Sequence, residues 1–179
     1  MKANRYIAFL RGVNIGGHQQ VRMADLRRLV ESLGHTEVTT YINSGNVVFT
    51  NSAHHLDQAG LAAGIEERIR SEWSHQIAVL VRSSRELADI LVANPFPDAT
   101  PTRLLVMFLR EPPTRGAIAS ASEIESGDDE FQVVGATAYV HCPHGVGRSK
   151  LADKLSQRLL VTGTARNLAT VRKLLDLAR

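Results

Sequence analysis

The sequence predicts an α+β fold built from two similar halves. Three observations carry this. Residues 5–10 and 104–109 are apolar runs of strand length with hydrophobic side chains on both faces. Each is followed by helical spacing, a hairpin signal and helical spacing again, in the same order. Residues 94–102 hold three prolines and read as a connector between the halves. The expected division is residues 1–94, a connector at 95–102, and residues 103–179.

In the first half, Tyr6, Ala8 and Leu10 point one way and Ile7 and Phe9 the other. A strand apolar on both faces belongs in the centre of a sheet with cover on both sides. A loop over 12–20 follows. Met23, Leu26, Leu29, Val30 and Leu33 then recur at helical spacing, and Gly34 stands where a helix ends. The spacing predicts a helix over 22–33. Residues 37–42 and 47–50 are β-prone and flank Asn43-Ser44-Gly45-Asn46, which predicts a hairpin with Gly45 or an Asn at positive φ. Leu61, Ile65 and Ile69 predict a helix over 57–73, and residues 77–81 a buried strand. Ser83 and Glu86 have capping-box spacing for a third helix, which Pro95 ends near Asn94.

The second half restarts with strand 104–109. An Ala/Ser-rich helix over 114–124, a hairpin at 130–134 and 136–141 around Gly135, and a helix from 150 follow. Thr162-Gly163-Thr164 reads as a helix breaker, with Thr164 available to cap a final helix marked by Leu168, Val171, Leu174 and Leu175. Strand–helix–strand–strand–helix–strand is the ferredoxin-like order. The fold class expected is therefore two packed ferredoxin-like pseudo-repeats with helices outside the sheets.

The chain has 179 residues, 44% of them hydrophobic, enough for one ordinary domain or two small ones. No apolar run approaches the ~20 residues of a membrane helix, and no signal peptide is expected from the opening residues. Cys142 is the single cysteine, so no internal disulfide forms, and a cytoplasmic protein is expected. The net charge of +3 is segregated: +3 over 1–50, −6 over 51–141 and +6 over 142–179. Basic ends suit an anion, a nucleic acid or the acidic middle of the same chain.

Several segments resemble a known bacterial family, the domain of unknown function 1697 proteins. They are Phe9-Leu10-Arg11-Gly12-Val13-Asn14-Ile15-Gly16-Gly17, Tyr41-Ile42-Asn43-Ser44-Gly45-Asn46-Val47-Val48-Phe49, Asn94-Pro95-Phe96, Gly145-Val146-Gly147-Arg148-Ser149-Lys150-Leu151 and Thr164-Ala165-Arg166-Asn167. The resemblance implies two ferredoxin-like repeats and no established activity. The chain departs from the family's usual residues at Arg22, Asn43, Cys142, His144 and Leu168.

Those segments supply the candidate ligand-binding residues. Gly147, Arg148, Ser149 and Lys150 place a free backbone, two cations and a hydroxyl at a helix start, where unpaired N–H groups attract anions. The spacing is not that of a Walker A loop. Arg11, Gly12, Asn14, Gly16 and Gly17 form a loop between strand and helix, without the dinucleotide-binding spacing. Asn43, Ser44 and Asn46 sit in the hairpin turn, and Arg166 and Asn167 precede the last helix. Each set has a structural alternative: a cap, a tight loop or a turn.

His141-Cys142-Pro143-His144 lacks a second ligand pair, so no metal and no cofactor is expected. Three functions stand at this point. One is an anion-binding module for a phosphate-bearing ligand or nucleic acid, the second a structural or interaction protein. The third is an enzyme on a small phosphorylated or carboxylated substrate, with His18 the nearest candidate base. No membrane partner is expected, and the sequence leaves the oligomeric state open.

Overall fold

The computed structural model describes residues 4–16, 19–51 and 56–179. Among them are eight strands in two four-stranded antiparallel sheets, and six α-helices. The chain divides into two compact units, Met1–Ala88 with Leu174–Arg179, and Asp89–Lys173.

The first sheet has the order β2-β3-β1-β4, with β1 at Asn4–Leu10, β2 at Thr36–Thr40, β3 at Asn46–Asn51 and β4 at Val79–Ser83. Residues 7–10 of β1 are fully buried, as a central strand apolar on both faces must be. Ala8 and Leu10 of β1 join Val47, Phe49, Val79 and Val81 against the helices α1 (Met23–Ser32) and α2 (Gln58–Trp73). Leu26, Leu29 and Val30 of α1 and Leu61, Ile65 and Ile69 of α2 fill that layer. Each such side chain contributes about 1.5–3 kcal/mol on leaving water. Gly34, at φ +85°, ends α1 as expected, with its N–H on the Glu31 carbonyl at 3.0 Å. The last strand begins two residues later than its apolar run suggests, at Val79.

Helix α3 (Ser84–Val92) follows β4 directly. Ser83 Oγ accepts the Glu86 N–H at 3.1 Å, so half of the capping box forms. The Glu86 carboxylate does not return to the backbone. It accepts from Gln58 Nε2 at 2.7 Å and lies 3.0 Å from Arg82 Nε. Burial holds Arg82 below the usual guanidinium range, and the Glu86 charge opposes that shift.

The edge strand β2 is bulged between Thr36 and Thr39, with Glu37 at φ +49°. Glu37 Oε2 accepts from the Thr50 hydroxyl at 2.6 Å and from Arg5 Nη1 at 2.8 Å. Those two contacts, the hydroxyl first, hold the Glu37 carboxyl below its usual range. Arg5 Nη2 also reaches the Leu177 carbonyl at 2.8 Å, tying the end of the chain to the first strand.

His35 is 7% exposed and lies over the Phe49 ring at a centroid distance of 4.6 Å. Burial lowers its pKa from the ordinary 6.5, and a hydrogen bond with Asn51 opposes this in part. A folded-state pKa below the unfolded one means that the unfolded chain binds more protons in the interval between them. Stability is then full above about pH 6.5 and falls as the pH drops toward the lowered value. Denaturant midpoints are expected to be lower at about pH 5 than at about pH 7.5, and His35→Gln is expected to shrink that difference. An unchanged pH difference in the variant contradicts this assignment.

The second sheet has the order β6-β7-β5-β8, with β5 at Leu104–Leu109, β6 at Glu130–Val134, β7 at Thr137–His141 and β8 at Gly163–Asn167. Met107, Leu109, Ala138, Val140 and Cys142 form one core with Ala121, Leu151, Leu155 and Leu159. The last four come from α4 (Arg115–Ser122), α5 (Lys150–Arg158) and the residue after α5. Position for position, the two sheets share one strand order.

The reading of Thr162-Gly163-Thr164 as a helix breaker is corrected: Gly163 opens β8, which pairs with β5. A Cβ at Gly163 would stand 2.8 Å from Leu109 Cδ2 and 3.0 Å from the Phe108 carbonyl. The glycine therefore permits close strand approach. Thr164 lies inside the strand and caps nothing. Asn167 caps α6 (Leu168–Leu177) instead, its Oδ1 accepting the Thr170 N–H at 2.8 Å. No helix among the described residues is long and apolar enough to cross a membrane.

Candidate functional site

In the first unit the glycine loop and the hairpin turn are one structure. Leu10 donates its N–H to the Gly45 carbonyl at 2.8 Å, and Arg11 to the Ala78 carbonyl at 2.9 Å. Gly12, Asn14 and Gly16 all have positive φ, which winds the loop tightly. Asn tolerates that conformation better than most residues. Asn14 Nδ2 donates to the carbonyls of Val21 at 2.9 Å and Asn43 at 3.0 Å, and its Oδ1 accepts the Val21 N–H at 2.8 Å. Asn14 is thus a strut between the loop, the entry to α1 and the hairpin turn. Asn46, fully buried, donates to the Tyr41 carbonyl at 3.1 Å and the Ser44 hydroxyl at 2.9 Å.

An open cleft of ≈ 270 Å³ lies beside these struts, lined by Asn14, Gln20, Val21, Arg22 and Asn43. Arg11 is exposed. Gly17, His18 and the pair His54-His55 lie outside the described residues. The turn also holds a feature that composition conceals. Its left-handed residues are Gly45 and Ile42, and no Asn of the turn is among them. Ile42 is 50% exposed at φ +51°, a strained conformation for a β-branched side chain.

In the second unit Gly145, at φ +101°, turns the chain out of β7, and a short 3₁₀ turn at Val146–Arg148 leads into α5. Ser149 is buried and caps α5, its Oγ accepting the Ala152 N–H at 2.9 Å. Arg148 and Lys150 on either side are exposed. Lys150 Nζ lies 3.6 Å from a Glu125 carboxylate, but both side chains are in solvent, so the pair is worth about 0–1 kcal/mol at most. Gly147 is neither in a left-handed conformation nor crowded: a Cβ there would meet nothing within 4 Å.

Arg166 lies on β8, where burial pushes it down to about 10. Its Nη1 donates to Thr164 Oγ1 at 2.9 Å and to the Ala165 carbonyl at 2.8 Å. Its place matches that of Arg82 on β4: each precedes the capping residue of the next helix. Asn167 pairs with Leu105, and Leu105 with Val140. The Arg166-Asn167 end of β8 and the loop after β7 therefore share one end of the sheet.

Cys142 is buried, and burial pushes its thiol up, with a hydrogen bond to Ser149 opposing. A thiol so placed is a poor nucleophile. His144 meets Asp128 at 2.8 Å in solvent. Among the described residues no group of three or more His, Cys, Asp or Glu is placed to hold a metal.

A family model described as "Protein of unknown function (DUF1697)" matches residues 3–139. The conserved bacterial protein SP0830 from Streptococcus pneumoniae has a similar structure. Its TM-score is 0.71 at 23% identity, over 98% of this chain and 99% of that one. No curated protein matches.

Proposed function

Because the chain belongs to the DUF1697 family of proteins of unknown function, we propose a role from its own geometry: it binds a phosphate-bearing ligand at the start of α5. The observation that carries this reading is Gly147. Neither conformation nor packing demands a glycine there, and it leaves bare backbone beside Arg148, Lys150 and the N-terminal amides of α5. Lysine in a first helical turn opposes the helix dipole. An anion bound between the two cations turns that repulsion into attraction. The charge of +6 over 142–179 supports the same reading.

On this view the shared strand order makes the chain two ferredoxin-like pseudo-repeats, 1–94 and 103–179, the second of which carries the site. Binding of a single-stranded oligonucleotide at low salt is the test. Arg148→Gln with Lys150→Gln is expected to weaken it at least tenfold and to flatten the log K versus log salt slope by about 1.4, two contacts at ~0.7 each. The denaturant midpoint should not move, because both side chains are in solvent. Equal binding by the variant rejects the site.

A second reading, a structural or protein-interaction role, is favoured by Asn14, Asn46, Ser149 and Asn167. Each spends its side chain on the chain's own backbone. It predicts that the cation substitutions change nothing, and that substitutions at those four residues cost stability.

A further inference from the structure

The two sheets end in differently made edges. At the edge of the first sheet, β2 is broken by a bulge and carries Glu37 in a left-handed conformation. Such irregularity discourages another strand from adding. The strand at the same place in the second sheet, β6, has neither device. Its register with β7 runs unbroken from Glu130 opposite His141 to Val134 opposite Thr137, and Glu130–Val134 contains no proline or lysine.

The hairpin fixes which backbone groups face outward. Val134 and Thr137 close a two-residue turn around Gly135, at φ +56°. A closing pair of this kind exchanges hydrogen bonds, and the pattern alternates from there. Val134, Gln132 and Glu130 therefore turn their N–H and C=O groups toward β7, and Phe131 and Val133 turn theirs outward. The side chains of Glu130, Gln132 and Val134 are exposed, while those of Phe131 and Val133 are half-buried against the core.

We propose that β6 pairs antiparallel with β6 of a second copy of this chain, about a two-fold axis at Gln132. Phe131 of one copy then stands opposite Val133 of the other. Those are the residues whose backbone groups face outward, so two pairs of hydrogen bonds form without a shift of register. The register fits a second copy, because outward-facing Phe131 and Val133 are related by the axis, and charge selects the direction. Asp128, Asp129 and Glu130 lie at one end of the strand, and Val134, Gly135 and Ala136 at the other. Antiparallel pairing sets the acidic end against the neutral one, whereas parallel pairing stacks like charges. A five-residue edge makes a small interface, so the dimer is weak and concentration-dependent. This inference is independent of the anion site on α5.

Gln132 supplies the test, because the axis brings it opposite its own copy. Sedimentation velocity over rising concentration is expected to show a monomer–dimer equilibrium for the full chain. Gln132→Glu and Gln132→Lys each put like charges face to face and should weaken association about tenfold. An equal mixture of the two variants should restore it. Gln132 is exposed, so unchanged denaturant midpoints will show that neither variant has unfolded. A wild-type chain that stays monomeric, variants that dimerise as well as wild type, or a mixture that fails to recover overturns the proposal.

Discussion

Gly45→Ala is expected to destabilise the first unit by about 2–5 kcal/mol. Two costs add. Gly45 sits at φ +72°, where a side chain costs about 1–2 kcal/mol. The added Cβ would stand 2.6 Å from Val13 Cγ2 and 2.8 Å from Leu10 Cβ. Val13 and Leu10 are themselves buried, at 2% and 0% exposure, so neither can move aside cheaply. Overpacking of this kind costs a further 1–3 kcal/mol or so. Denaturant unfolding measures the loss. Gly147→Ala is the control: its Cβ meets nothing, so its midpoint should stay close to wild type.

Asn14→Ala is expected to cost about 2–3 kcal/mol. The substitution leaves the Val21 N–H without its acceptor and removes the donor to the carbonyls of Val21 and Asn43. Each such bond is worth about 0.5–1.5 kcal/mol net. Alanine also fits φ +56° less well than asparagine. Asn14→Gly separates the two contributions, since glycine keeps the backbone conformation and loses only the bonds. A glycine variant as stable as wild type would show that the amide bonds contribute nothing.

Strands central to each sheet were the most legible elements. Residues 7–10 and 104–109 are apolar on both faces, and only an interior strand accommodates that pattern. Gly34 and Ser83 were legible for a related reason: helix ends have local chemistry that a few residues display. What the sequence concealed depends on distant neighbours. Gly163 looks like a breaker until Leu109 and the Phe108 carbonyl are placed beside it. Gly45 looks like an ordinary turn glycine until Val13 and Leu10 close over it. Ile42 takes a left-handed conformation that its side chain disfavours, so no propensity rule selects it.

The candidate residues divide in the same way. Asn14, Asn46, Ser149 and Asn167 match polar motif positions, but their partners are the chain's own backbone groups, in a helix cap, a hairpin turn or a neighbouring loop. Motif reading cannot separate such struts from ligand contacts, because both need a polar side chain at a turn. Burial and hydrogen bonding separate them. Arg11, Arg148 and Lys150 remain on the surface, and only the last two flank a helix start.

The reading of α5 as an anion site is tested most directly by backbone amide chemical shifts during titration with inorganic phosphate at low salt. The account predicts saturable shifts concentrated on Gly147, Arg148 and Lys150 and lost in the Arg148→Gln, Lys150→Gln variant. Shifts spread evenly over the basic surface, or none at the turn before α5, would contradict it.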